Sequence, residues 1–166
     1  TYPNGPTFTY PGDYVGVYIL VEKLTRDKNR VDITKLEPFD NAEPEITGGY
    51  LMQHDCCHVD STDLPFSCNF GAFLFEEPDQ FQVTAAQKTW MINYLNSFYT
   101  VLYNSGFADP VSGYSQYINT GSFIDHFWLS EMMRNVDAYV VSTFMFKDRL
   151  GKLNMGPLWD FNAALG

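Results

Sequence analysis

The sequence predicts an α+β fold, and three patterns carry that expectation. Short apolar runs rich in β-branched or aromatic residues (15–24, 48–54 and 72–75) have the length of strands rather than helices. Apolar residues recurring every three or four positions over 84–104 and 123–134 mark two helices. Two further apolar stretches, 142–146 and 152–158, flank Lys147-Asp148-Arg149-Leu150-Gly151 and read as a β-hairpin with a glycine-containing turn. The composition agrees. Of 166 residues, 45% are hydrophobic and 18% are charged, which supplies a core and argues against disorder.

Taken in order, residues 1–12 hold Pro3, Gly5, Pro6, Pro11 and Gly12, turn chemistry around a short strand at 7–10. VGVYILVEKL, at 15–24, is almost continuously apolar and predicts a strand buried on both faces. Residues 25–41 are polar enough for a solvated connection or a short helix. GGYLMQH at 48–54 and AFLF at 72–75 give the next two strands. Thr84 and Gln87 have capping-box spacing, in which hydroxyl and amide satisfy N–H groups at a helix start. The helix they open is expected to run to about Asn104, burying Trp90, Met91, Tyr94, Leu95, Phe98, Val101 and Leu102, with Ser105-Gly106 as its stop. Ser122 and Asp125 form a weaker cap for a buried helix at 123–134, with Ile124, Phe127, Trp128 and Met132 near one face.

Charge excludes some functions. Ten Lys and Arg against twenty Asp and Glu leave a net charge of −10, so a phosphate backbone is repelled and nucleic-acid binding is not expected. No apolar run reaches the roughly 18–20 residues of a membrane span. The sequence shows neither a GxSxG nucleophile elbow nor a GxxxxGK[ST] phosphate loop. Aromatic residues are 17% of the chain, a supply from which a carbohydrate platform can be built; rings at helical spacing are first of all core.

Chemistry concentrates in the last third. A hairpin returns on itself, so Asp137 before it and Asp160 after it can approach one another. Two such carboxylates can divide labour, one taking a proton and the other holding a metal; equally, each can cap the element that follows it. His54-Asp55-Cys56-Cys57-His58-Val59-Asp60 holds every zinc-ligand type, but on a strand entering a loop His54 and His58 do not share a face. A disulfide from Cys56 or Cys57 to Cys68 and plain buried thiols are both open. His126, mid-helix among apolar residues, reads as a packing residue.

The blocks GDYVGVYILVEKL, NRVDI, ITGGYLMQHD, SFIDHFWLSEMMRNVDAY, STFMFKD and GKLNMGPLWDFNAALG, in this order and spacing, resemble the CotH kinase family of spore-coat proteins and secreted relatives. The resemblance implies an atypical protein-kinase-like fold, of which this chain would be one partial domain. Residues 1–24 would be N-lobe strands and hinge, and 25–166 a mainly helical C-lobe core with a β-hairpin, truncated at both ends. The backbone at Glu22, Lys23 and Leu24 would face the adenine of ATP. Asp137 matches the catalytic-loop aspartate and Asp160 the aspartate that binds Mg²⁺ or Mn²⁺. Ser142 stands where an ordinary kinase loop has its metal-binding Asn, and Asn162 where the family often has a second acid; both would complete the metal site. The implied partner is a protein substrate with Ser or Thr hydroxyls on a coat or surface, and the implied location is extracellular or at the cell or spore surface. The alternative is a non-catalytic kinase-like or carbohydrate-associated interaction module.

Overall fold

The computed structural model describes residues 16, 18, 20–55 and 60–165. Five strands form one antiparallel sheet: β1 (Tyr50–His54), β2 (Phe66–Cys68), β3 (Gly71–Glu77), β4 (Thr143–Lys147) and β5 (Leu153–Met155), in the order β2-β3-β1-β4-β5. β1 is central, and Tyr50, Leu51 and Met52 are fully buried. Each such side chain stabilises the fold by about 1.5–3 kcal/mol.

Strand periodicity sends alternate residues to opposite faces, so the sheet builds two cores. On one face Tyr50, Met52, Phe73, Phe75 and Leu153 pack with Met91, Leu95 and Phe98 of α1 (Ala85–Leu102). On the other, Leu51 and Phe144 are covered by Val31 and Ile33, with Leu24, Phe146 and Trp159 at the margin. Gly48 and Gly49 admit the chain to β1. A Cβ on Gly48 would lie 2.0 Å from the main chain at Asp148, and Gly49 has φ +100°. A side chain at either position would push the β4–β5 turn or residues 34–36 away.

α1 begins as the sequence says. The Thr84 hydroxyl accepts from Gln87 N–H and the Gln87 amide accepts from Thr84 N–H, a complete capping box. Lys147, at the end of β4, is buried with its ammonium 5.2 Å from the Trp90 ring centre and 5.0 Å from that of Tyr94. It also donates to the Thr47 carbonyl. Burial lowers its pKa to about 8.

Several expectations are corrected. Residues 20–24 form no strand, and Leu20 and Val21 are exposed. The rest of that run and the strand expected at 7–10 lie outside or only partly inside the described residues. Residues 25–41 contain no helix and are not merely solvated, since Val31, Ile33 and Leu36 are buried. α2 (Thr120–Met133) starts earlier than expected, with Asn119 as N-cap and no side-chain cap bond. Ser122 instead donates to the Asn119 carbonyl and accepts from Met155 N–H, fastening the first turn to β5. Ile124, Phe127, Trp128 and Met132 are exposed; His126 and Ser130 are the buried residues. The 25–166 segment is therefore built around a sheet and is not mainly helical.

Candidate functional site

Asp137 lies in a tight turn after α2. Its N–H donates to Asn135 Oδ1 at 3.3 Å, and its carbonyl accepts from Val140 and Val141 N–H at 3.2 and 3.1 Å. Asn135 thus makes the side-chain-to-main-chain turn for which Asn is suited. The carboxylate is left half-buried. Arg134, Tyr139 and Ser142, on either side of it, all have left-handed backbones with φ of 50°, 73° and 51°. Such conformations are uncommon for residues with a Cβ and cluster at sites that surrounding structure holds in place.

Asp160 follows the hairpin and is exposed, with φ 56°. Ser142, one residue beyond the Val141 N–H that binds the Asp137 carbonyl, donates from Oγ to Asp160 Oδ2 at 3.3 Å. One short stretch of chain therefore connects the Asp137 turn to Asp160. Asn162 is exposed on the turn that follows. Leu165 N–H donates to the Met133 carbonyl at 2.7 Å, which brings this last turn back to the end of α2.

Glu22, Lys23 and Leu24 line two clefts, and Trp159 lines both with them. The larger, about 400 Å³, also takes Gln53, Glu76 and Phe144 from the outer sheet face. The smaller, about 140 Å³, adds Arg30 and Pro157. Arg30 pairs with Glu22 across its mouth. Burial first, then the neighbouring Asp63, Asp79 and Glu77 carboxylates, raise the pKa of Glu76. Trp159 stands edge-on to Phe144, ring centres 6.4 Å apart, and is directly followed by Asp160. Gln53 and Glu76 were not legible as site residues, since only the pairing of β1 with β3 brings them together. Trp159 carried one signal, its place beside Asp160.

Asp160 and Ser142 offer hard oxygen donors. Such a set suits Mg²⁺ or Mn²⁺, which are held by one or two carboxylates and take other ligands from water and phosphate. One exposed carboxylate and one hydroxyl are a sparse set, and among the described residues no three His, Cys, Asp or Glu are grouped to hold a metal. Of the His54–Asp60 cluster, residues 56–59 lie outside the described residues. Cys56 and Cys57 lie outside the described residues, and Cys68 is a free thiol. His126 is buried beside Tyr139, as a packing residue should be, yet neither ring nitrogen has a hydrogen-bond partner. Burial lowers its pKa. No helix among the described residues is long and apolar enough to cross a membrane.

The family described as CotH kinase protein matches residues 2–166. No curated protein and no solved structure matches the chain.

Proposed function

This chain belongs to the CotH kinase protein family, and from that premise we propose that it transfers the γ-phosphoryl group of ATP to Ser or Thr hydroxyls of a protein substrate. The observation that carries the reading is the cleft lined by Glu22, Lys23, Leu24 and Trp159, the last of which directly precedes Asp160 in the chain. The segment expected to face adenine thus shares a cleft with the residue before the aspartate expected to hold metal. In this reading the base lies against residues 22–24, and the triphosphate extends toward Asp160. Asp160 holds Mg²⁺ or Mn²⁺, with Ser142 and Asn162 beside it; the bound ion would neutralise charge on the phosphates. Asp137 orients the substrate hydroxyl and takes its proton. The substrate is a secreted, coat or surface protein, and this chain works outside the cell or at its surface.

Incubation with ATP and Mg²⁺ or Mn²⁺, read by intact mass, tests the proposal with and without an added Ser- and Thr-rich protein. Gains of 80 Da, the mass of a phosphoryl group, are expected and should vanish with EDTA. A second reading is a nucleotide-binding module without turnover. It is favoured by the neutral residues Ser142 and Asn162 around Asp160, which leave little charge to hold a metal. Metal-dependent nucleotide binding with no mass gain would establish it.

A further inference from the structure

We infer that the cavity between α1 and the inner face of the sheet binds a straight-chain amphiphile, an alkyl chain of about ten to twelve carbons ending in an uncharged hydroxyl head. No residue assigned above to phosphoryl transfer lines this cavity, so the inference stands apart from that reading. Close-packed interiors leave few voids larger than one water molecule. This one measures about 380 Å³, room for roughly a dozen water- or methylene-sized groups at about 30 Å³ each. Its origin lies in the topology. α1 packs over β2 and α2 against β5, the two opposite edges of the sheet, and no third helix covers the floor between them among the described residues.

A mostly apolar void with a few polar groups is the usual form of a small-molecule site. Phe98 and Leu102 of α1, Met145 of β4, Leu153 of β5 and Phe123 of α2 supply apolar lining. The polar groups stand together. His54 and Thr143 are direct partners across β1 and β4, and both line the cavity. The Thr143 hydroxyl donates to the Val141 carbonyl at 3.2 Å, which leaves its oxygen to accept from a ligand hydroxyl. From Thr143 to Lys147, whose partner on β5 is Leu153, the strand advances four residues, about 13 Å at 3.3 Å per residue. An extended alkyl chain, advancing about 1.3 Å per carbon from bonds of about 1.5 Å, covers that distance with about ten carbons. Among the described residues that line the cavity none is Lys, Arg, Asp or Glu. An unpaired charge is costly to bury, so the head is uncharged.

Equilibrium dialysis with radiolabelled decanol at pH 7.5, and competition by straight-chain alcohols from butanol to tetradecanol, tests the site on the wild-type chain. One decanol per chain is expected. Affinity should rise about fourfold per added methylene, the usual gain from burying one, and level off near twelve carbons, where the cavity is full. No decanol binding would overturn the proposal, and so would a rise that continues through tetradecanol, which marks an open surface. Decanoate and decylammonium should bind at least about tenfold more weakly, because each brings an unpaired charge; either one matching decanol would overturn the uncharged head. Leu102 is only partly buried, so Leu102→Trp should fill the cavity with little strain and abolish binding. Trp128→Ala, on the exposed face of α2, should leave binding unchanged. The reverse pattern would place the chain on α2 and overturn the cavity. Thr143→Val should weaken decanol about fivefold, the usual effect of one neutral hydrogen bond; unchanged affinity would remove Thr143 as the acceptor for the head. Circular dichroism checks that each variant folds, and the wild-type alcohol series decides the matter if Leu102→Trp does not.

Discussion

At Asp137 the chain closes on itself through main-chain bonds to Asn135, Val140 and Val141, so the turn does not depend on the carboxylate charge. Asp137→Asn should therefore leave fold and nucleotide affinity unchanged while phosphoryl transfer falls by about 10²–10⁴-fold, the usual contribution of a positioned base. Asp160→Asn should instead weaken metal–nucleotide binding, seen by calorimetry. Equal transfer by wild type and Asp137→Asn would remove Asp137 from the chemistry. Lys147 gives a pH prediction. Burial holds its folded pKa at about 8, against an ordinary 10.5. Below about pH 8 both folded and unfolded chains carry the proton, and the cost of the buried charge is fully present. Between about 8 and 10 the unfolded chain binds more protons, so this group's contribution to stability rises with pH. Wild type minus Lys147→Met, compared by thermal melts at pH 7.5 and 9.5, should shift in favour of wild type at the higher pH. No change in that difference would show that the two aromatic rings keep the ammonium charged.

At the scale of elements, the two helices carry similar patterns and opposite environments. Met91 on α1 is fully buried against the sheet, whereas Met132 on α2 is 72% exposed. Met91→Ala should cost about 2–5 kcal/mol, the range for emptying a well-packed site. Met132→Ala should stay within about 0.5 kcal/mol, as surface changes do. Urea denaturation measures both, and a large loss at Met132 would mean that α2 is covered in solution. The burial of α1 was legible because its cap and apolar stripe agree. That of α2 was not, because a stripe shows only that a helix has an apolar side. The bond from Met155 N–H to Ser122 fastens the first turn of α2 to β5, a contact that no local pattern contains.

At the scale of the whole molecule, a net charge of −10 opposes an anionic nucleotide. Metal-free ATP should bind more tightly as salt rises from about 20 to 150 mM, because screening weakens the repulsion. Adenosine should be nearly insensitive to salt. Calorimetric titration at both ionic strengths checks this; tightening by low salt would reveal a local positive field from Lys23 and Arg30 that outweighs the global charge.

The sequence alone determined whatever depends on neighbours along the chain. The capping box at Thr84 and Gln87, the α1 stripe, the β4–β5 hairpin and the order of the family's motifs all follow from residues a few positions apart. Asp137 and Asp160 were legible as candidates for the same reason, each standing beside a recognisable element. Tertiary structure decided the rest. Residues 20–24 are as apolar as a strand, yet a strand needs a partner for its hydrogen bonds, and none lies beside them among the described residues. Val31, Ile33 and Leu36 sit in a polar stretch, yet Val31 and Ile33 cover the outer face at Leu51 and Phe144, and Leu36 joins the core on the α1 face. The cleft at Glu22–Trp159 likewise has walls from segments more than a hundred residues apart in sequence, joined only when the sheet has formed. Hydrogen-bond spacing and helical period are local quantities, whereas which side of an element is buried depends on surfaces that no local pattern contains.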